Sequence, residues 1–266
     1  MQNYMTSTLK LGRKVSMVLW LIDQHTSLGC NEEIAVYLNG RPVSFQRKAG
    51  GYLVFCDLEE DLYRVSIESP YYFTEQLEIS ISSLNRADPV VYVPLKPAPT
   101  YRFGQGATLI RASLRTQNGD PANAVLTATL GSDKCARAQL GRQGAQAQTS
   151  ELSLVDVTGR FAPGDLLLLR PREGTSGEIC EVTTMGGAEG IYALKQPLLS
   201  DHSRGELLMP LTITRSDERG EAVISIRNLR QKECRVQVNI SAEDLNQIVE
   251  VEVKTGLVHH LGKIVL

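Results

Sequence analysis

The 266-residue sequence is poor in most of what a catalytic or nucleic-acid-binding chain displays, with one tryptophan, four histidines and five scattered cysteines. Cys30, Cys56, Cys135, Cys180 and Cys234 stand singly. Without a CxxC pair, neither a zinc ribbon nor a dithiol redox motif is written here. Their odd number and apolar neighbours, as in Val54-Phe55-Cys56, read as small buried hydrophobes of a reducing compartment. There is no basic excess, since 28 Lys and Arg stand against 30 Asp and Glu for a net charge of −2. That balance gives no electrostatic ground for nucleic-acid binding. Nor does any run approach the roughly 18 apolar residues of a membrane span, so no membrane insertion is expected. Val15–Ile22 follows Arg13-Lys14 as a signal peptide's core would, but it is short, ends at Asp23 and lacks a small-x-small site behind it. It reads as a first buried strand, and the chain as cytoplasmic or built into a particle assembled there.

Catalytic signatures are missing too. No serine sits in a Gly-x-Ser-x-Gly elbow, and residues 186–190 lack the Lys-Ser/Thr ending of a phosphate-binding loop. His25, near Asp23 and Ser27, comes closest to a hydrolase's set, yet it reads as a surface-loop histidine. His202 follows Asp201 in what reads as a solvated turn. His259 and His260 are adjacent on an expected strand and so point to opposite faces. No catalytic, cofactor-binding or metal-binding residue is therefore assigned, and no cofactor is expected. Asp57, Glu59, Glu60 and Asp61 offer enough oxygens for calcium, but their spacing fits no EF-hand loop. Asn239-Ile240-Ser241 matches a glycosylation acceptor, which without a secretion signal reads as accidental.

What the sequence does have is strand after strand. In Lys48–Pro70 a glycine pair opens Tyr52–Phe55, the acidic link Asp57–Asp61 follows, and Tyr63–Ile67 ends at Ser69-Pro70. Asn39-Gly40 between Ile34–Leu38 and Pro42–Phe45 is a hairpin signal. Leu77–Ile81 alternates with period two, and Val90–Leu95 closes a first unit over residues 15–95. Three prolines in Pro94–Pro99 predict an extended, semi-rigid spacer leading into a linker over 96–106. Ala-, Gln- and Arg-rich residues 132–150 read as weak helix or loop. Short strands with glycine-rich turns over 152–208 suggest a small barrel. After Leu208 the earlier style resumes, with Ala222–Ile226, Arg235–Ile240 and Ile248–Val253. The expected class is all-β: two small antiparallel β-sandwiches joined by a Pro-rich linker. The second is split over 107–151 and 209–266 around an inserted β-barrel, and residues 1–14 are a flexible arm.

Gly51–Leu58 followed by Leu62–Val65 resembles the carboxypeptidase-regulatory-like domains, which are transthyretin-like, Ig-like sandwiches. Glu59, Glu60 and Asp61 stand where that family favours Pro and Gly. Leu109–Ala112, Asn118–Ala124 and Asp217–Glu221 look like a divergent second copy. Phe161–Asp165, with Pro197-Leu198 and His202, resembles small β-modules of phage-tail-related proteins. The resemblance implies a non-catalytic structural or adaptor protein that bridges other protein subunits, in a phage-tail-like or contractile injection machine. The alternatives are a surface-exposed or carbohydrate-binding sandwich and an uncharacterised hydrolase. The residues expected to meet a partner are Asp57, Glu59, Glu60 and Asp61 together with Tyr71, Tyr72 and Phe73.

Overall fold

The computed structural model describes residues 13–170, 177–183, 190–242 and 245–266. Most of the arm expected over 1–14 and of the glycine-rich stretch 186–190 lies outside these residues. Among the described residues the chain is all-β, with several antiparallel sheets, two short 3₁₀ turns and no α-helix.

The first unit contains β1 (Val15–Asp23), β2 (Leu28–Gly29), β3 (Ala35–Leu38), β4 (Arg41–Pro42), β5 (Gln46–Lys48), β6 (Tyr52–Cys56), β7 (Leu62–Glu68), β8 (Glu75–Ser80) and β9 (Val90–Leu95). One sheet runs β2-β1-β6-β5, with β9 parallel to β1, and the other runs β4-β3-β7-β8. Alternation decides which side chains go inside. Leu53 and Phe55 of β6 and Val65 and Ile67 of β7 are buried, and they join Met17, Leu19 and Leu21 of β1 in a core lined by both sheets. Asn39 and Gly40 have φ of 50° and 75° and join β3 to β4 with Leu38 opposite Arg41, the two-residue hairpin that this dipeptide favours. Gly51 is obligatory. At φ 83° a Cβ there would lie 2.6 Å from the Leu21 carbonyl oxygen.

The chain continues with β10 (Thr108–Arg115) and β11 (Val125–Leu130). Five short strands follow: β12 (Ala138–Leu140), β13 (Glu151–Val155), β14 (Leu166–Arg170), β15 (Glu178–Glu181) and β16 (Ile191–Ala193). The last five are β17 (Leu207–Arg215), β18 (Glu221–Ile226), β19 (Glu233–Ala242), β20 (Leu245–Lys254) and β21 (Val258–Val265). Here the first unit's pairing scheme recurs. As β1 pairs antiparallel with β6 and parallel with β9, so β10 pairs antiparallel with β18 and parallel with β21. As β3 lies between β4 and β7, with β8 beyond, so β11 lies between β17 and β19, with β20 beyond. The second core is built from these strands, including Leu114, Leu126, Ile224 and Val238.

The two-residue hairpin of the first unit is replaced in the second by residues 131–206. β17 serves both sides of this excursion: Leu211–Arg215 pairs with β11, while Leu207–Leu211 pairs with β14. β12 pairs with β13 and β17, β13 with β16, and β14 with β15. The bridge Val182↔Leu194 then links the ends of β15 and β16, so the ring of pairings closes. The ring encloses a third core that includes Leu152, Phe161, Leu167 and Leu208. Ala138 and Leu140 also belong to it, so this core starts upstream of residue 152. The helix or loop expected over 132–150 is instead a 3₁₀ turn, the strand β12 and further turns. Ala-Gln-Leu is too short a strand for its alternation to stand out.

The Pro-rich stretch is not a free spacer. Pro94 and Leu95 finish β9 opposite Ile22 and Asp23, which an edge strand permits because only one side of it donates to the ladder. Pro97 bridges Tyr72, the Phe73 amide donates to the Lys96 carbonyl (3.0 Å), and the Ala98 amide donates to the Tyr71 carbonyl (3.0 Å). The linker lies flat along residues 70–73.

Candidate functional site

The seven residues expected to meet a partner divide into two sets at opposite ends of β7. At about 3.3 Å per residue that strand separates them by some 20 Å, so they form no single surface. The acidic set is exposed and braces its own connection. Asp57, at φ 58°, accepts the Lys14 amide at 3.0 Å, and Asp61 accepts the Leu62 amide at 2.7 Å. Glu60 sits between Lys14 (3.7 Å) and Arg86 (3.0 Å), and the Glu59 carbonyl accepts the Asp61 amide. Exposed pairs of this kind contribute about 0–1 kcal/mol.

The aromatic set is turned inward. Tyr72 is 4% exposed and belongs to the first core, its ring 5.4 Å from that of Tyr101, so it cannot touch an outside partner. The docked linker is what covers it. Tyr71 carries the Arg102 guanidinium over its ring at 4.8 Å, and Phe73 carries that of Arg215, from β17, at the same distance. Both contacts are intramolecular, and the second ties the first unit to the second.

That seam leads to a buried polar site at the meeting point of all three units. The first unit supplies the loop after β1. Asp23, 5% exposed, accepts the His25 amide (2.7 Å) and the Tyr101 hydroxyl (2.6 Å), which fixes both the loop and the linker's exit. Gln24 donates to the Gly164 carbonyl at 3.0 Å, and His25 Nδ1 lies 2.6 Å from the Ser225 hydroxyl on β18. Burial pulls His25 below the ordinary imidazole range. The third unit supplies Asp165, whose side chain is 2% exposed. It accepts Arg137 (3.3 Å), the Ala162 amide (3.2 Å) and Arg227 at the end of β18 (2.5 Å). Arg137, 4% exposed, also donates to the carbonyls of Arg160 and Thr158 and lies 4.1 Å over the Phe161 ring. Arg227 completes the link by donating to the Ser27 hydroxyl at 2.6 Å. One buried carboxylate thus holds two guanidiniums, and through them three units.

His202 is not the solvated residue that its turn suggests. It is 8% exposed, with Nδ1 2.8 Å from Glu206 and Nε2 3.0 Å from Glu178. Glu178 also accepts the Leu199 and Ser200 amides, so it clips the 198–206 turn onto β15. Burial alone would lower the imidazole, but the hydrogen bonds and charges of both glutamates raise it above its ordinary 6.5. Burial would raise Glu178, but His202 and the two amides hold it below the ordinary carboxylate range. A raised histidine adds stability that is full below about pH 6.5 and is lost as pH rises through its folded value. A depressed glutamate adds stability that is full above about pH 4.3 and is lost as pH falls through its folded value. The clip is therefore strongest between those limits. In thermal melts from pH 6 to 9, wild type is expected to lose melting temperature relative to His202→Gln; parallel curves would contradict this.

A second feature escaped the sequence reading. Trp20, Tyr52 and Tyr92 form a row across β1, β6 and β9, with ring centroids 5.1 and 5.4 Å apart. Trp20 donates to the Gly50 carbonyl at 2.9 Å. The register Trp20↔Tyr52 and Trp20↔Tyr92 assembles the row, and no local motif announces it. Among the described residues no cluster of three or more His, Cys, Asp or Glu is arranged to hold a metal ion.

No family model matches the chain, and no curated protein matches it. Among solved structures it is similar to a streptococcal ancillary pilin at 10% identity and a TM-score of 0.23, over 94% of this chain and 68% of that one. It is also similar to the shaft pilin SpaA of Lactobacillus rhamnosus GG, at 11% identity and a TM-score of 0.23, over 96% and 97% of the two chains. The Bacillus anthracis TIE protein gives 9% identity and a TM-score of 0.22, over 96% of this chain and 51% of that one. Scores of this size establish neither a shared fold nor a shared function.

Proposed function

We propose that the chain is a non-catalytic structural protein, in which two sandwiches and an inserted barrel are held at fixed angles to present their surfaces to other subunits of a larger assembly. The observation that carries this reading is the buried Arg137–Asp165–Arg227 junction. A seam filled with paired protein side chains sets the geometry of three units. The cavity beside it, lined by His25, Phe103 and Ser225 among others, is about 50 Å³, while a cleft of about 630 Å³ lined by Phe73, Pro121 and Arg215 among others lies between the first and second units. The resemblance to carboxypeptidase-regulatory-like and phage-tail-related modules suggests a contractile or phage-tail-like particle as the assembly.

The hydrolase alternative rests on the contact between His25 and Ser225, and it is weaker on geometry. A working triad needs a carboxylate on the second imidazole nitrogen. Asp23 is instead engaged by the amides of His25 and Thr26 and by Tyr101. The carbohydrate-binding alternative would look to the Trp20 row. A sugar platform needs exposed ring faces, and the stacking of Trp20 on Tyr52, with planes 14° apart, covers one face of each and leaves Tyr92, 41% exposed, as the open ring of the row. The row suits a protein surface better.

Isolation from the native source tests the proposal. The chain is expected in a particle at fixed stoichiometry with other structural subunits. Recovery only as a free monomer, or a hydrolytic activity lost in Ser225→Ala, would overturn it.

A further inference from the structure

The small cavity beside the junction has charged walls of one sign. Every unit contributes to it: Gln24 and His25 follow β1, Lys96 lies in the linker, Gly164 belongs to the third unit, and Ser225 and Arg227 come from β18 and its end. Its charged side chains are Lys96 and Arg227, both cations, and no Asp or Glu among the described residues lines it. The carboxylates nearby are committed elsewhere. Asp165 pairs with Arg227 but divides itself between that guanidinium and Arg137. Asp23 is taken up by the His25 and Thr26 amides and the Tyr101 hydroxyl. Glu75 feels the charge of Lys96, yet it forms no salt bridge with it among the described residues. Arg227 uses one N–H on Ser27 and one on Asp165 and has others left.

We propose that this cavity is a binding site for one small inorganic anion of chloride size, held between Lys96 and Arg227 where the three units meet. Positive charge withdrawn from water without a full counter-charge is costly, and a bound anion removes that cost. Neutral donors are at hand in the Gln24 amide, which also donates to Gly164, and in the Ser225 hydroxyl. Burial, opposed by Asp23 and aided by the Arg227 charge, keeps His25 below its ordinary range, so the imidazole enters uncharged at neutrality. Phe103, Leu211 and Val223 supply apolar wall, and a low local dielectric strengthens each polar contact. The volume sets the ligand's size. About 50 Å³ exceeds the roughly 15 Å³ that one water needs, and it is too small for a nucleotide or a sugar phosphate. An anion that binds only the assembled junction stabilises it by mass action.

The test is a series of thermal melts of the full chain in which sodium gluconate is replaced by sodium chloride at constant total salt. Gluconate is too large to enter. Wild type is expected to gain about 3 °C, saturably, once chloride is tenfold above its dissociation constant. Lys96→Met keeps the backbone contacts of the linker and should lose this gain, whereas Lys48→Met, on exposed β5, should retain it. Crystals grown in sodium bromide should show an anomalous peak in the cavity, between Lys96 and Arg227. No chloride-dependent gain, a gain undiminished in Lys96→Met, or a cavity holding only water in bromide would overturn the assignment.

Discussion

Asp165→Ala is expected to cost about 3–5 kcal/mol, because it leaves the Arg137 guanidinium buried with no counter-charge. For a chain of this size that corresponds to a melting temperature lower by roughly 10 °C or more. The cost comes from the unpaired charge rather than from any large net value of the pair. Desolvating two ions offsets most of their attraction, so a buried pair replaced by apolar groups of similar size can be nearly neutral. The double variant Asp165→Leu/Arg137→Met should therefore be less destabilised than Asp165→Ala alone. A double variant no better than the sum of its parts would show that the two side chains do not act on each other. Arg227 is 21% exposed, and water can partly replace its carboxylate partner. Arg227→Ala should therefore cost less globally while releasing both the Ser27 contact that joins the first unit to the second and the Asp165 contact that joins the second to the third.

Gly164→Ala comes next in size. Gly164 has φ 87°, where a side chain costs about 1–2 kcal/mol on conformational grounds alone. An added Cβ would also lie 2.3 Å from Cβ and Cγ of Pro94, across the seam between the first and third units. Neither the proline ring, held in β9, nor the turn before Asp165 can yield without moving backbone. A loss of about 3 kcal/mol is expected when the overpacking is added to the strain. A Pro94→Gly background removes the atoms that the new methyl meets. In denaturant melts the substitution should cost less there, by the part due to the seam. Equal costs in both backgrounds would mean that Gly164 is needed for its turn alone.

Both residues belong to Phe161–Asp165, a turn that feeds β14. Its second role was illegible because its partners come from far away: Arg137 is 28 residues upstream and Arg227 is 62 downstream. Nothing local distinguishes an aspartate that starts a turn from one that anchors three units. The legible parts are those where neighbours in sequence decide the outcome. Asn39-Gly40 sets its hairpin, the glycine pair sets the approach of β6 to β1, and alternation in β6 and β7 sets which side chains are buried. The recurrence of the first unit's style after Leu208 was legible for the same reason, and the matched pairings of β10, β11 and β17–β21 repeat the scheme of β1–β9. Tyr72 shows the limit. An aromatic after a proline can serve as core or as surface, with core favoured because aromatics mostly bury, and here the linker covers Tyr72 by docking over residues 70–73. His202 illustrates a signal that could have been used, since Glu206 lies four residues on. Glu178, which completes the clip, arrives only through the pairing of β14 with β15.

The central claim is that the three units form one stiff body, and an inter-unit distance tests it most directly. Spin labels on non-natural residues placed at exposed Gln76 on β8 and Gln247 on β20 report the first unit against the second. The expected result is one narrow distance distribution in wild type that broadens in Arg227→Ala and in Gly164→Ala while each unit stays folded. A broad distribution in wild type, unchanged by either substitution, would mean that the junction holds nothing in place.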